Sequence, residues 1–178
     1  MNNFKLVGTV KTSEALVQLL QNSNLWNQNP LRTKHQGTAH KEVDDIWLRF
    51  NVVTGDLSNI LNNLETQWYE AKDKLIQIVN LTFELMAREK AVRLGRVMLS
   101  RIANEGRVYR HRDEGNYPHY YERYHIVLQG GKGNFFFCGD EYVEMLTGQI
   151  WWFQNLIEHE VYNNSGKDRI HLIVDLKL

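Results

Sequence analysis

The sequence predicts a mainly β fold with flanking helices, built as two packed sheets of jelly-roll type. Three observations carry that expectation. About eight short segments rich in β-branched and aromatic residues run from "LGRVMLSRI" to "RIHLIVDLKL". Turn signals separate them, at Asn104–Gly106, Gly130–Gly131, Gly139–Asp140, Gly148 and Asn163–Gly166. Two stretches with apolar residues at helical spacing precede them and are suited to cover one sheet. A sandwich of this kind encloses a cavity between its sheets, which is where a site is expected.

In chain order, "MNNFKLVGTVKTSE" is too polar for a secretory signal, and no apolar run approaches membrane-spanning length. A cytoplasmic protein is the expectation. "SEALVQLLQN" places Leu16, Val17, Leu19 and Leu20 on one side of a helix that Ser13 or Thr12 can cap. Residues 24–45 are polar and without period, and read as a long surface loop. "IWLRF" at 46–50 alternates and reads as a strand. A polar helix is expected over 57–71. "KLIQIVNLTFELMARE" then sets Leu75, Ile78, Val79, Phe83 and Met86 at helical spacing. The strand segments follow, with "RVYRHRD", "RYHIVLQ", "NFFFCG", "EYVEML", "QIWWFQ" and "EHEVYNN" between the first and the last. The whole chain, 1–178, reads as a single domain, with 1–93 as helical and strand support and 94–178 as the β core.

Composition narrows the function classes. Apolar residues make up 43% and charged residues 24%, which suits a packed globular chain and argues against disorder. The formal net charge is zero, so nothing points to an electrostatic grip on nucleic acid or on an anionic membrane. The single cysteine, Cys138, excludes an intrachain disulfide and a cysteine-rich zinc site; after "NFFF" it reads as a buried strand thiol.

The chemistry concentrates in "YRHRDEGNYPHYYERYH", residues 109–125. His111 and Asp113 sit two apart, so on an extended strand both side chains emerge on one face and can grip one ion. Two imidazoles and one carboxylate on one side of a metal form the facial triad of non-haem Fe(II) oxygenases. The third ligand must come from further along the chain, from His119, His125, His159 or His171. A second pair of similar shape, His40 with Glu42, falls in the polar loop and reads as a solvated charge cluster. Downstream, His159 opens a strand segment, and ten residues on Arg169 opens the strongly apolar last one. An arginine pointing between two sheets needs a partner, because an unpaired buried guanidinium is costly. A bound dicarboxylate supplies one through a bidentate contact.

With these motifs the chain resembles the aspartyl/asparaginyl β-hydroxylase family of Fe(II)- and 2-oxoglutarate-dependent dioxygenases. The resemblance covers roughly the C-terminal half, through "GRVYRHRD", "ERYHIVLQG", the glycine before "QIWWF", "EHEVYNNSGKDR" and the closing "IVDL". It implies a double-stranded β-helix, a cupin-like jelly roll, with His111, Asp113 and His159 as iron ligands. It also implies Arg169 on the distal carboxylate of 2-oxoglutarate, and Arg123 and His125 contacting the co-substrate or a substrate carboxylate. Eukaryotic aspartyl hydroxylases lack the carboxylate ligand. Asp113 therefore places this chain nearer the small bacterial branch, which includes free-proline hydroxylases, and argues against halogenation.

The expected activity is hydroxylation of an unactivated C–H bond, with an amino acid, free or peptidyl, as substrate, O₂ consumed, and succinate and CO₂ released. A cupin-like metal-binding sensor without turnover is the alternative. His125 stands between pocket and core, His171 between pocket lining and a hydrogen-bonded core role, and His119 reads as surface or lid. The loop at 24–45 and the tyrosine-rich 116–124 segment are the expected lids.

Overall fold

The computed structural model describes residues 2–53 and 57–178. Among them, eleven strands form two antiparallel sheets. The larger has the order β1 (Phe4–Thr9), β9 (Gln149–Phe153), β6 (Glu122–Gln129), β11 (Arg169–Lys177), β4 (Arg93–Ile102), β2 (Val43–Phe50) and β3 (Gln67–Trp68). The smaller runs β5 (Arg107–His111), β10 (His159–Asn163), β7 (Asn134–Cys138) and β8 (Glu141–Glu144). The fold is thus mainly β, a jelly roll, as the strand spacing predicts. No helix among the described residues is long and apolar enough to cross a membrane.

Alternation along the central strands, broken in β2 by a bulge between Trp47 and Arg49, gives the large sheet two different faces. On one, Leu48, Leu99, Ile126 and Leu172 pack with Leu19, Ile78 and Leu85 of helices α1 (Ser13–Gln21) and α5 (Ile76–Arg88). Each fully buried aliphatic side chain there contributes about 1.5–3 kcal/mol. Toward the small sheet the same strands carry Met98, Ser100, Arg123, His125, Arg169, His171 and Asp175, all but Arg123 fully buried. The apolar part of that interlayer is Phe4, Val127, Phe136, Phe153 and Val161. One face stabilises the fold, and the other spends part of that gain on buried polar groups.

Several expectations need correction. Residues 57–71 are not one polar helix: α3 (Leu57–Asn62), the short strand β3 and α4 (Ala71–Lys74) share that stretch. Strand β1 lies in the N-terminal stretch that hydropathy marks only as polar. It is an edge strand paired with β9, with Phe4 buried and Leu6 48% exposed. The loop at 24–45 contains a 3₁₀ turn (Ser23–Leu25) and α2 (Leu31–Lys34), and β2 begins at Val43. Helix α1 buries Ala15 and Leu19 while Val17 and Leu20 face solvent, and Thr12 makes no side-chain cap. Helix α5 buries Ile78, Leu81, Thr82 and Leu85, leaving Phe83 half exposed against Trp68. The tyrosine-rich segment, which includes α6 (Asn116–Tyr120), packs Tyr117, Tyr121 and Tyr124 into the interior, and of residues 116–124 only Arg123 lines either cavity, so the segment does not cover them as a lid would. Cys138 is a buried strand thiol, as expected, donating to the Gln154 carbonyl.

Candidate metal centre

Strands β5 and β10 pair with His111 directly opposite His159, which sets the two imidazoles side by side, ring centroids 4.3 Å apart. Asp113 follows just past the end of β5. Its N–H donates to the Asn155 carbonyl (3.2 Å), and Asn155 Nδ2 donates back to Asp113 Oδ2 (3.2 Å). Gly115 then turns the chain away at φ +88°, where a Cβ would meet the Leu61 carbonyl oxygen at 2.4 Å. As a result one ligand atom from each of His111, Asp113 and His159 lies within 4.8 Å of the others.

The donor atoms are oriented for a cation. His111 Nδ1 lies 2.8 Å from the Tyr109 carbonyl, and His159 Nδ1 lies 2.8 Å from the Ile157 carbonyl. A carbonyl only accepts, so each Nδ1 carries the proton and each Nε2 lone pair is left free. Asp113 Oδ2 accepts from Arg123 and Asn155, leaving Oδ1, which lies 3.9 Å from His111 Nε2.

Electrostatics keep this set ready for metal. Burial pulls His159 down to about 4, against the opposing pull of the Asp113 carboxylate. Burial also lowers His111, opposed by Asp113 and the Tyr109 carbonyl. Burial works to raise Asp113, but Arg123 and the two histidines outweigh it and hold the carboxyl below its ordinary range. Two neutral imidazoles and a carboxylate are the protonation states that ligation needs.

An outer cavity of about 910 Å³ opens beside His111 and Asp113, walled by Trp47, Phe50 and Met98. A narrower inner pocket continues past His159 to Arg169, between Phe136 and Phe153. Arg169 is 2% exposed, and its Nη2 is buried without a hydrogen-bond partner. The Phe136 ring lies 5.8 Å from its guanidinium carbon. This orphaned cation is the feature that a bound dicarboxylate would satisfy.

His125 and His171 meet through their Nδ1 atoms at 3.2 Å, one ring donating and the other accepting. His125 lines the inner pocket; His171 lies behind it. Burial, then Arg169, holds both well below 6.5. The sign follows directly. Near neutral pH neither state binds the extra protons, whereas below 6.5 the unfolded chain takes them up and the folded one does not. Metal-free protein is therefore expected to lose stability as pH falls below that value, by up to about 1.4 kcal/mol per pH unit for each buried histidine. Urea midpoints measured at about pH 7 and about pH 5 test this, and His171→Asn is expected to flatten the difference. Equal midpoints would sink the account.

The structure brings His111, His159, Arg169, His125 and Arg123 around the inner pocket, with Asp113 beside Arg123 on the outer cavity. His119 stays outside both cavities. Four other residues lie at the site, of which the sequence marks only His40, in its pair with Glu42. Arg32 of α2 lines both cavities, with Nε on the buried Asp45 (2.7 Å) and Nη2 buried without a partner. His40 is not part of a solvated cluster, since it lines both cavities edge-on to His111, centroids 4.8 Å apart. Its neighbour Glu42 accepts from the Tyr109 hydroxyl and the Arg107 N–H. Asn155 and Asp175 complete the set through hydrogen bonds to Asp113 and Arg123.

Two packed sheets, a His/Asp/His cluster and a buried arginine at the far end of the pocket are the features expected of an oxygenase of the non-haem iron, 2-oxoglutarate type. A family model described as Aspartyl/Asparaginyl beta-hydroxylase matches residues 12–177. The chain belongs to that family and is a hydroxylase. No curated protein matches the sequence. Among solved structures, an oxidoreductase of the 2OG-Fe(II) oxygenase family from Burkholderia pseudomallei aligns with a TM-score of 0.56 at 14% identity, over 76% of this chain and 67% of that one. A viral collagen prolyl hydroxylase from Paramecium Bursaria Chlorella virus-1, in a 2OG complex, aligns with a TM-score of 0.56 at 11% identity, over 99% and 96% of the two chains. At such identities the likeness establishes the fold.

Proposed function

We propose that this protein hydroxylates an unactivated C–H bond of an amino acid, free or within a peptide. In the same turnover 2-oxoglutarate and O₂ become succinate, CO₂ and the oxygen atom of the new hydroxyl group. The observation that carries the reading is Arg169, a buried guanidinium with an unpartnered Nη2 at the end of a pocket that begins at His111 and His159. No carboxylate of the chain forms an ion pair with it among the described residues, and a keto diacid chelating a metal at one end would bring one.

His111 Nε2, Asp113 Oδ1 and His159 Nε2 would hold Fe(II), which when bound supplies the activation of O₂. Arg169 takes the far carboxylate of the diacid. Phe136 and Phe153, centroids 4.7 Å apart, keep water from the pocket wall. Trp47, Phe50 and Met98 give the outer cavity an apolar side for the hydrocarbon part of the substrate.

Charge supports an acidic group on that substrate. Arg32, Lys41, Arg96, Arg110, Arg112, Arg123 and Arg169 line the two cavities against Asp113, Glu114 and Glu158, with Asp45 and Asp175 behind them, so positive charge is in excess. Fe(II) and the diacid dianion cancel each other, so the excess remains. Arg32, fixed through Nε and free at Nη2, is placed to take the substrate carboxylate.

The test has two stages. Anaerobic Fe(II) plus 2-oxoglutarate is expected to give a visible charge-transfer band, and air is then expected to release succinate, stimulated by one member of an amino-acid and peptide panel. A band without succinate across the panel would favour a metal-binding sensor. Absence of the band would sink the oxygenase reading.

A further inference from the structure

We infer that Asp175 and Arg123 act as one device that restricts Asp113 to a single-oxygen metal ligand, and so keeps a coordination position open for the keto acid. The inference rests on the metal-centre reading above and concerns residues that have no direct contact with the metal.

Register places the device. Arg123 on β6 pairs across the sheet with Asp175 on β11, and both side chains point to the interlayer side. Arg123 Nε donates to Asp175 Oδ1 (2.8 Å) and Nη2 donates to Asp175 Oδ2 (3.0 Å), a two-point fork that fixes the guanidinium plane. The remaining nitrogen, Nη1, donates to Asp113 Oδ2. Asn155 Nδ2 donates to the same oxygen at 3.2 Å. Asp175 is 1% exposed, so water does not compete for its side of the fork.

The consequence follows from counting acceptor sites. A carboxylate oxygen has two lone pairs, and both of those on Asp113 Oδ2 face fixed donors. Only Oδ1, on the His111 side, is left for a cation. A carboxylate free to rotate can chelate through both oxygens and fill a second position. With two imidazoles and one carboxylate oxygen, three positions of an octahedral ion stay available, two for the keto acid and one for O₂. Asp113 chelating through both oxygens would leave two. Three of the five N–H donors of Arg123 go to carboxylate oxygens, which makes it a positioning residue for Asp113 and leaves two for the co-substrate contact that the family resemblance implies.

The experiment compares wild type with Asp175→Asn, using Co(II) as a metal stable in air. Calorimetry gives Co(II) affinity, and a second titration gives the affinity of 2-oxoglutarate for the Co(II) protein; neither readout needs turnover or a known substrate. The expected result is a split: Co(II) affinity within about threefold of wild type, and 2-oxoglutarate affinity lower by about tenfold or more. The visible Co(II) absorption is expected to change with the added carboxylate oxygen. Circular dichroism of the metal-free variant reports folding. If Asp175→Asn does not fold, Arg123→Lys carries the same test, because an ammonium keeps the charge and loses the fork. Equal affinities in variant and wild type would overturn the inference. So would a parallel loss of both affinities in a folded variant, which marks Asp175 as general structural support. Wild-type protein that binds no Co(II) would remove the metal-centre reading itself, and this inference with it.

Discussion

His159→Ala is expected to abolish Fe(II) retention and succinate release together, while the metal-free chain still folds. The ring contributes one of three donors, and a pair consisting of His111 and Asp113 on one short segment cannot by itself enclose an ion. Metal affinity is expected to fall by on the order of a thousandfold or more, since each direct ligand contributes more than the ten- to hundredfold typical of outer partners. Folding survives for a separate reason. His159 is buried, and burial pulls it down to about 4, so the native state already works against its protonation. Its removal costs ring contacts with Phe153 (5.0 Å) and Phe136 (6.1 Å), on the order of 2 kcal/mol, which the helix-covered core can absorb. His40→Ala is the informative control. That ring touches His111 edge-on but lies outside the donor cluster, so its variant is expected to keep its metal. Metal analysis after dialysis and a succinate assay decide the matter. Stoichiometric iron in a catalytically competent His159→Ala protein would end the triad assignment.

What was legible in the sequence, and what was not, divides along one physical line. The strands of the second half show themselves through local pattern, because burial on both faces gives short apolar runs bounded by turn signals, as in "HIVLQ", "QIWWF" and "RIHLIVDLKL". The pair His111 and Asp113 is legible for the same reason, two residues apart and on one side of the chain. Partnerships between distant segments leave no such trace. Arg123 and Asp175 are 52 residues apart, and each alone reads as an ordinary charge on a strand. Arg32 and His40 come from a stretch without period, so Arg32 goes unmarked and the His40–Glu42 pair reads as a solvated cluster until the fold lays that loop over the cavity. Helices α1 and α5 are legible in the sequence, but their buried faces are not. Leu20 and Phe83 are as apolar as the residues beside them, and only the position of the sheet beneath decides which side is covered.

Arg169→Met is expected to move co-substrate affinity and protein stability in opposite directions, a combination that a merely structural residue does not produce. In the metal-free protein the guanidinium has no ion-pair partner, and burial alone pulls it down to about 9. That value is below the ordinary arginine range, so the unfolded chain holds the proton more tightly than the folded one. The destabilisation is therefore complete at every pH below about 9 and fades as pH rises from there toward the unfolded value, which leaves the group charged and costly at neutral pH. Methionine fills similar space against Phe136 without a charge, and the metal-free variant is expected to be more stable by roughly 1–3 kcal/mol. Once 2-oxoglutarate arrives the balance reverses. Truncating one side of a buried, hydrogen-bonded charge pair costs about 2–5 kcal/mol, so the KM for 2-oxoglutarate is expected to rise by at least about thirtyfold, with Fe(II) affinity nearly unchanged. Thermal shift gives a direct readout: ligand with metal is expected to raise the Tm of the wild type and to leave the variant almost unmoved. An Arg169→Met protein that is less stable when metal-free, or that keeps the wild-type dependence on 2-oxoglutarate, would show that this arginine has a partner within the fold and no part in holding the diacid.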